Sequence, residues 1–237
     1  MYIGGAEHSV LHLLYSRFLA MVLKDLGLVS FEEPFTKFRA HGLIIREGAK
    51  MSKSKGNVIN PDDYVKKFGA DALRMALMFL GPFEEGGDFR DSALVGIVRF
   101  LEKVYKLKSK LKTNNSLRRQ SYGASATRLK TGDLDKLLHQ TIRKVTEDIE
   151  SLRYNTAISA LMILVNEMAK QNHLSVSNWQ AFLKLLAPFA PHLAEEMWQS
   201  LGNRKSIHLE SWPSYNPRFT KEAQFDLIIQ VNGKTRD

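Results

Sequence analysis

The sequence predicts a mostly α protein in which a smaller α/β part precedes an α-helical bundle. Three observations carry this expectation. Apolar residues recur at helical spacing over long segments from Leu134 onward. A short apolar run at Leu43-Ile44-Ile45, entered through Gly42 and left through Arg46, reads as a buried strand leading into a loop. With 237 residues and 44% apolar content, the chain is long enough for one large domain or two ordinary ones.

Each element follows from local chemistry. Residues 7–26 are apolar on nearly every face, from Val10 through Phe18 to Leu23, and Gly27 is a natural stop, so a buried helix is expected. A strand over Phe38 to Ile45 and a loop over Arg46 to Asn57 follow. Asn60-Pro61-Asp62-Asp63 then supplies a cap, a proline at the first helical position and acids in the first turn. A further helix runs from Asp71 to Leu80 and stops at Gly81-Pro82. Beyond a glycine- and acid-rich turn from Glu84 to Asp88, the helix carrying Val95, Phe100 and Val104 leads into a polar stretch.

Four helices then form the bundle. Leu134 to Leu152 make the first, and the second opens from a cap near Asn155. The third opens near Ser177 and is broken by Pro188 and Pro191, and the fourth ends at Gly202. Phe225 to Val231 reads as a strand and Asn232-Gly233 as a tight turn, which suggests a hairpin begun without its partner. The expected divisions are residues 1–107, a linker at 108–131, the bundle at 132–217, and 218–237 as the start of a small C-terminal domain.

Composition removes several classes of function. Without cysteine there is no disulfide framework, cysteine-ligated zinc, iron–sulfur cluster or thiol catalysis. No apolar run approaches the roughly 18 residues of a membrane span, and the N-terminus lacks the pattern of a signal peptide, so no membrane partner is expected and the expected location is cytoplasmic. The net charge of +9 is concentrated: residues 101–130 hold 9 Lys/Arg against 1 Asp/Glu, and the flanking regions are nearly balanced. That stretch suits either a solvated linker or a polyanion contact.

The segment Lys50-Met51-Ser52-Lys53-Ser54-Lys55-Gly56-Asn57 carries the chemistry. Three lysines among small hydroxyl side chains, with glycines at 48 and 56, make a cationic loop able to close over a polyphosphate. Displacement at a nucleotide phosphate needs such a loop, because charge building on the leaving pyrophosphate must be met by ammonium groups. An exposed basic turn is the plain alternative. The Walker pattern is absent.

Lys50 to Ser54 matches the KMSKS signature and resembles class I aminoacyl-tRNA synthetases. Tyr2-Ile3-Gly4-Gly5-Ala6-Glu7-His8 through His12 to Phe18 is similar to the leucyl family. Pro188 to Trp198 resembles the helical anticodon-binding domain of the leucyl, isoleucyl and valyl group, and Val231-Asn232-Gly233-Lys234 resembles the start of the leucyl C-terminal domain. The resemblance implies the C-terminal half of a Rossmann-like catalytic domain followed by the bundle. It implies a leucine–tRNA ligase that uses ATP with Mg2+, holds no protein-bound metal, and takes leucine and tRNA(Leu).

The same resemblance assigns roles. Lys50 and Lys53 meet the phosphates as catalytic groups. Gly5, Glu7, His8, Leu43, Ile44, Met51 and Ser52 bind ATP, with Glu7 on the ribose, Leu43 and Ile44 at the adenine edge, and Met51 packed near that base. His8 and His12 border the adenylate and leucine side-chain pocket; a His-x3-His metal pair or histidines satisfied within a core are the alternatives. Arg90-Asp91-Ser92 falls where the family packs the tRNA acceptor side, with Phe89 in place of its usual tryptophan. Trp179, Phe182 and Trp198 read as core rather than base-stacking platforms.

The class also needs a His-x-Gly-His motif, and none occurs in the sequence. The resemblance therefore implies a C-terminal portion that depends on an N-terminal catalytic and editing portion, as a separate chain or a missing segment. A non-catalytic tRNA-binding module with a vestigial lysine loop is the alternative.

Overall fold

The computed structural model describes residues 1–111 and 131–220, together with the backbone of 229–231 and 234–236. Most of the lysine- and arginine-rich stretch, residues 112–130, and the Asn232-Gly233 turn lie outside the described residues. The protein is mostly helical with small sheets, as the sequence predicts.

The chain opens as a βαβ unit. Strand β1 (Tyr2–Gly5) passes through a 3-10 turn and helix α1 (His12–Asp25) to strand β2 (Phe38–His41), which pairs parallel to β1 in the register Tyr2↔Phe38 to Gly5↔His41. The run expected as one strand is two. Gly42 separates β2 from β3 (Leu43–Arg46), which pairs instead with β4 (Ala49–Lys50) and β5 (Gly86–Asp88) in the order β4-β3-β5. The break has a steric cause: the Gly42 amide donates to the Phe83 carbonyl at 2.9 Å, and a Cβ at Gly42 would overlap the Glu85–Gly86 backbone. The glycine- and acid-rich stretch expected as a turn thus contributes strand β5.

Helix α1 departs from expectation more sharply. Among its residues only Ala20 is buried, while Leu14, Tyr15, Phe18, Leu19 and Met21 are exposed, Phe18 by 67%. Leu43 and Ile44, expected in a buried strand, are also exposed. An all-round apolar helix needs cover on every side, and none of the described residues supplies it.

Helix α2 (Pro61–Phe68) begins as the sequence predicts, with Asn60 Oδ1 accepting from the Asp62 amide at 3.1 Å and Pro61 at the first position. Helices α3 (Ala70–Phe79) and α4 (Asp91–Leu107) pack on each other and on the bundle of α5 (Thr131–Glu150), α6 (Tyr154–Lys170), α7 (Val176–Leu186) and α8 (Pro191–Gln199). One hydrophobic core runs from Ala72 and Met75 through Leu94 and Val104 to Leu161, Phe182 and Trp198. Trp179 and Phe182 are fully buried and stacked with ring centroids 5.3 Å apart. Each such side chain contributes roughly 1.5–3 kcal/mol by leaving water.

The α5–α6 corner turns through Leu152, whose φ is 60°. Helix α6 starts at Tyr154 without a side-chain cap, so the expected cap near Asn155 is not used. The corner is braced by the buried carboxylate of Asp148, which accepts from Lys144 at 2.9 Å, Arg153 at 3.0 Å and the Thr156 hydroxyl at 2.7 Å. Burial opposes the ionised form, and these donors together outweigh it, holding the Asp148 carboxyl below the usual range.

Helix α8 also lacks a cap of its own, since Ala190 occupies the N-cap position. Asp71 on α3 supplies it: its carboxylate accepts from the Leu193 amide at 2.8 Å and the His192 amide at 3.4 Å, and lies 2.8 Å from His192 Nδ1. After α8 the chain returns across α5, where Trp212 Nε1 donates to Thr146 Oγ1 at 2.8 Å, and forms the short helix α9 (Pro217–Thr220), stacking Phe219 on His139. Strand β6 (Ile229–Val231) pairs antiparallel with β7 (Lys234–Arg236), so the hairpin expected to lack a partner strand has one.

Candidate active site

The site is assembled along the ribbon formed by β2 and β3. At one end lies the glycine turn. Gly4 and Gly5 are buried, and the Glu7 carboxylate folds back over Gly5 so closely that a Cβ there would stand 2.6 Å from the carboxyl carbon. Only glycine leaves Glu7 in this place without displacement. His8 lies in the 3-10 turn and His12 opens α1; their rings are 6.5 Å apart and nearly perpendicular. Tyr2 and Phe35 complete the group, with Tyr2 5.2 Å from the rings of both His12 and Phe35. His8 Nδ1 is buried without a hydrogen-bond partner among the described residues. The sequence reading missed Tyr2 and Phe35, because no periodicity links a strand residue to a loop residue beyond α1.

At the other end is the lysine loop. Gly5 pairs with His41 and Lys50 pairs with Ile45. Those partners stand four positions apart along the chain, at most about 14 Å. Beside the ribbon, Leu43 and Ile44 join Leu77, Met78, Phe83 and Tyr154 in lining an apolar cleft of about 450 Å³. Such a surface suits a flat aromatic ring. The four residues beyond β3 come from α3, the following turn and α6, so the sequence offered no sign of them.

The loop read from sequence as able to close over a polyphosphate has local order. Glu47 (φ 54°) and Gly48 (φ 75°) form a two-residue hairpin turn with both residues left-handed, joining β3 to β4. Asp88 on β5 lies against that turn. A hydrogen bond from Arg90, aided by the Glu47 and Gly48 amides, outweighs burial and holds the Asp88 carboxyl below its ordinary value. Ser52 then caps a 3-10 turn over Lys53–Lys55, its Oγ accepting from the Lys55 amide at 3.3 Å. Asn57 closes the loop, its Oδ1 accepting from the Ser52 amide at 2.8 Å and its Nδ2 donating to the Lys50 carbonyl at 3.2 Å.

The electrostatics follow from what is not paired. Lys50, Lys53 and Lys55 are exposed and form no ion pair among the described residues. Met51 and Ser52 between them are half-buried. A cluster of uncommitted ammonium groups fits phosphate oxygens. It does not fit a metal cation, and no group of His, Asp and Glu among the described residues is arranged to hold one.

The candidate tRNA-facing residues have structural partners. Arg90 is engaged with Asp88, and Asp91 accepts the Tyr64 hydroxyl at 2.7 Å, a hydrogen bond that raises the Tyr64 pKa. Trp198 is buried and donates to the Lys205 carbonyl, and Trp179 and Phe182 are core, as expected. Lys110, within the basic stretch, is turned inward onto the carbonyls of Ala169 and Gln171 at the end of α6.

Two family models match the chain. Residues 13–86 match the class I tRNA synthetases (I, L, M and V), and residues 133–237 match the anticodon-binding domain of tRNA ligase. The chain is thus similar to a class I tRNA synthetase over the first of these regions and to a tRNA-ligase anticodon-binding domain over the second. Leucine–tRNA ligases of Dehalococcoides mccartyi strains BAV1 and CBDB1 are each 46% identical over the whole of this chain. A structure of the agnB2 LeuRS of Agrobacterium radiobacter K84, in a ternary complex with tRNA and LeuAMS, superposes on all of it with a TM-score of 0.79 and 35% identity. The chain is a leucine–tRNA ligase homologue over its entire length. It spans 29% of the curated relatives and 31% of the solved one.

Proposed function

We propose that this chain supplies the lysine-loop side of a leucine–tRNA ligase active site, together with the helical surface that receives tRNA(Leu). The observation that carries the proposal is the set of ammonium groups at Lys50 and Lys53, without ion pairs among the described residues, on a loop that leaves the strand paired with β3, while the preceding strand β2 pairs with the Gly5 end of β1 and Leu43 and Ile44 between them line an apolar cleft.

The geometry supports a two-step reaction. A leucine carboxylate oxygen attacks the α-phosphorus of ATP, the bond to the bridging oxygen breaks, and pyrophosphate leaves with the electron pair. A terminal ribose hydroxyl of tRNA then attacks the acyl carbon and AMP departs. Magnesium, as part of the nucleotide substrate, would supply charge neutralisation at the phosphates.

Leu43 and Ile44 offer main-chain groups and an apolar edge to the adenine. Glu7, held over Gly5, accepts from ribose hydroxyls. His8 and His12, grouped with Tyr2, border the adenylate and the leucine side chain. Met51 and Ser52 place the loop against the nucleotide, and Lys50 and Lys53 meet charge growing on the pyrophosphate. No side chain acts as a nucleophile; catalysis is positioning and electrostatic stabilisation.

The exposed apolar face of α1 is the seat of a complementary portion bearing the His-x-Gly-His motif, which the longer relatives have room to carry. The assembled enzyme works in the cytosol. Mixing this chain with the portion of a relative that it does not match tests the proposal: leucylation of tRNA(Leu) is expected, and Lys50→Ala or Lys53→Ala should lower its rate about a hundredfold. Salt-sensitive tRNA binding without leucylation would instead identify a non-catalytic tRNA-binding module.

A further inference from the structure

We propose that Asn57 is a positioning residue for the lysine loop, acting as a side-chain rung that extends the β3–β4 hairpin through Met51; this rests on the reading of that loop as the phosphate-facing element. A loop that presents cations to a transition state faces two opposing costs. Lys50, Lys53 and Lys55 repel one another within six residues, and none has an acidic partner among the described residues. The flanking Gly48 and Gly56 add chain entropy that ordering must overcome. Strand β4 is only two residues long, so its ladder ends at Lys50.

Asn57 continues that ladder. Its Oδ1 takes the Ser52 N–H and its Nδ2 gives to the Lys50 C=O, the two main-chain groups that bracket Met51. A neighbouring strand would satisfy the same pair. Only an amide can do so here, because it carries a donor and an acceptor side by side, and only one orientation of that amide satisfies both contacts. A carboxylate at this position would set a lone pair against the Lys50 carbonyl.

The brace lies between the two lysines assigned to the phosphates. Lys50 precedes it, anchored through its paired strand, and Lys53 follows it at the start of the Ser52-capped turn. Asn57 thereby sets the spacing and direction of both ammonium groups before nucleotide binds, which lowers the ordering cost in the transition state.

Two measurements test this, on Asn57→Ala and Asn57→Asp. In the chain by itself, hydrogen exchange at the Ser52 amide should quicken about tenfold or more in Asn57→Ala; unchanged exchange overturns the brace. In the complemented enzyme, kcat for leucine-dependent pyrophosphate exchange should fall about ten- to a hundredfold with KM for ATP within about twofold, since placement rather than binding is lost. Asn57→Asp, nearly isosteric, should fail to rescue kcat. If Lys50→Ala abolishes exchange while Asn57→Ala retains full kcat, the loop reading stands and this inference fails. If neither variant alters exchange, both fall.

Discussion

Asp71 and Asp148 do similar work at different places, and each gives a sharp expectation. Removing the Asp71 carboxylate strands the His192 and Leu193 amides at the start of α8, which has no cap of its own. Asp71→Ala should cost about 2 kcal/mol in urea unfolding, and Asp71→Asn, which keeps an acceptor, about half that. Asp148 adds a pH signature. Its folded pKa is depressed, so its stabilisation is present above the unfolded carboxylate value and disappears as pH falls through the lowered folded value. Asp148→Asn should cost about 2 kcal/mol near pH 7, less than a fully buried pair because Lys144 and Arg153 are half-exposed. The gap to wild type should narrow progressively below about pH 4, as thermal melts across that range would record.

At the scale of elements, legibility followed the range of the interaction. Asn60 caps α2 from the adjoining position, and the signal was plain in the chain. Asp71 caps α8 from far away, and Ala190 gave no hint of an acceptor elsewhere. The bundle helices were readable because their own period dictates what they bury. Strand β5 was not: Gly86-Gly87-Asp88 has the composition of a turn and becomes a strand only because Gly42 lets the β3 backbone come close. Within the candidate site, the lysine loop and glycine turn were legible as motifs. Tyr2, Phe35, Leu77 and Tyr154 were not, since only the tertiary fold gathers them. Helix α1 was legible in its apolar character and misread in its burial, because the pattern records what a helix needs and not whether the described residues provide it.

For the whole molecule, that exposed helix becomes informative. Phe18 makes little use of its apolar surface within this chain, being 67% exposed. Phe18→Asp should therefore shift the chain's own unfolding free energy by no more than about 0.5 kcal/mol. The same change should abolish complementation, because it sets a charge into the apolar face assigned to the counterpart. A large loss of stability in the isolated chain would show that α1 packs internally, contrary to its observed exposure. The molecule is thus a continuous helical core preceded by small sheets that carry the lysine loop and the glycine turn.

Leucine-dependent exchange of pyrophosphate into ATP, measured with the complementing portion present, tests the central claim most directly. The expected result is exchange that requires both polypeptides and drops about a hundredfold or more when Lys50 and Lys53 are both alanine. Robust exchange by that double variant, at the rate of the unaltered chain, would contradict it.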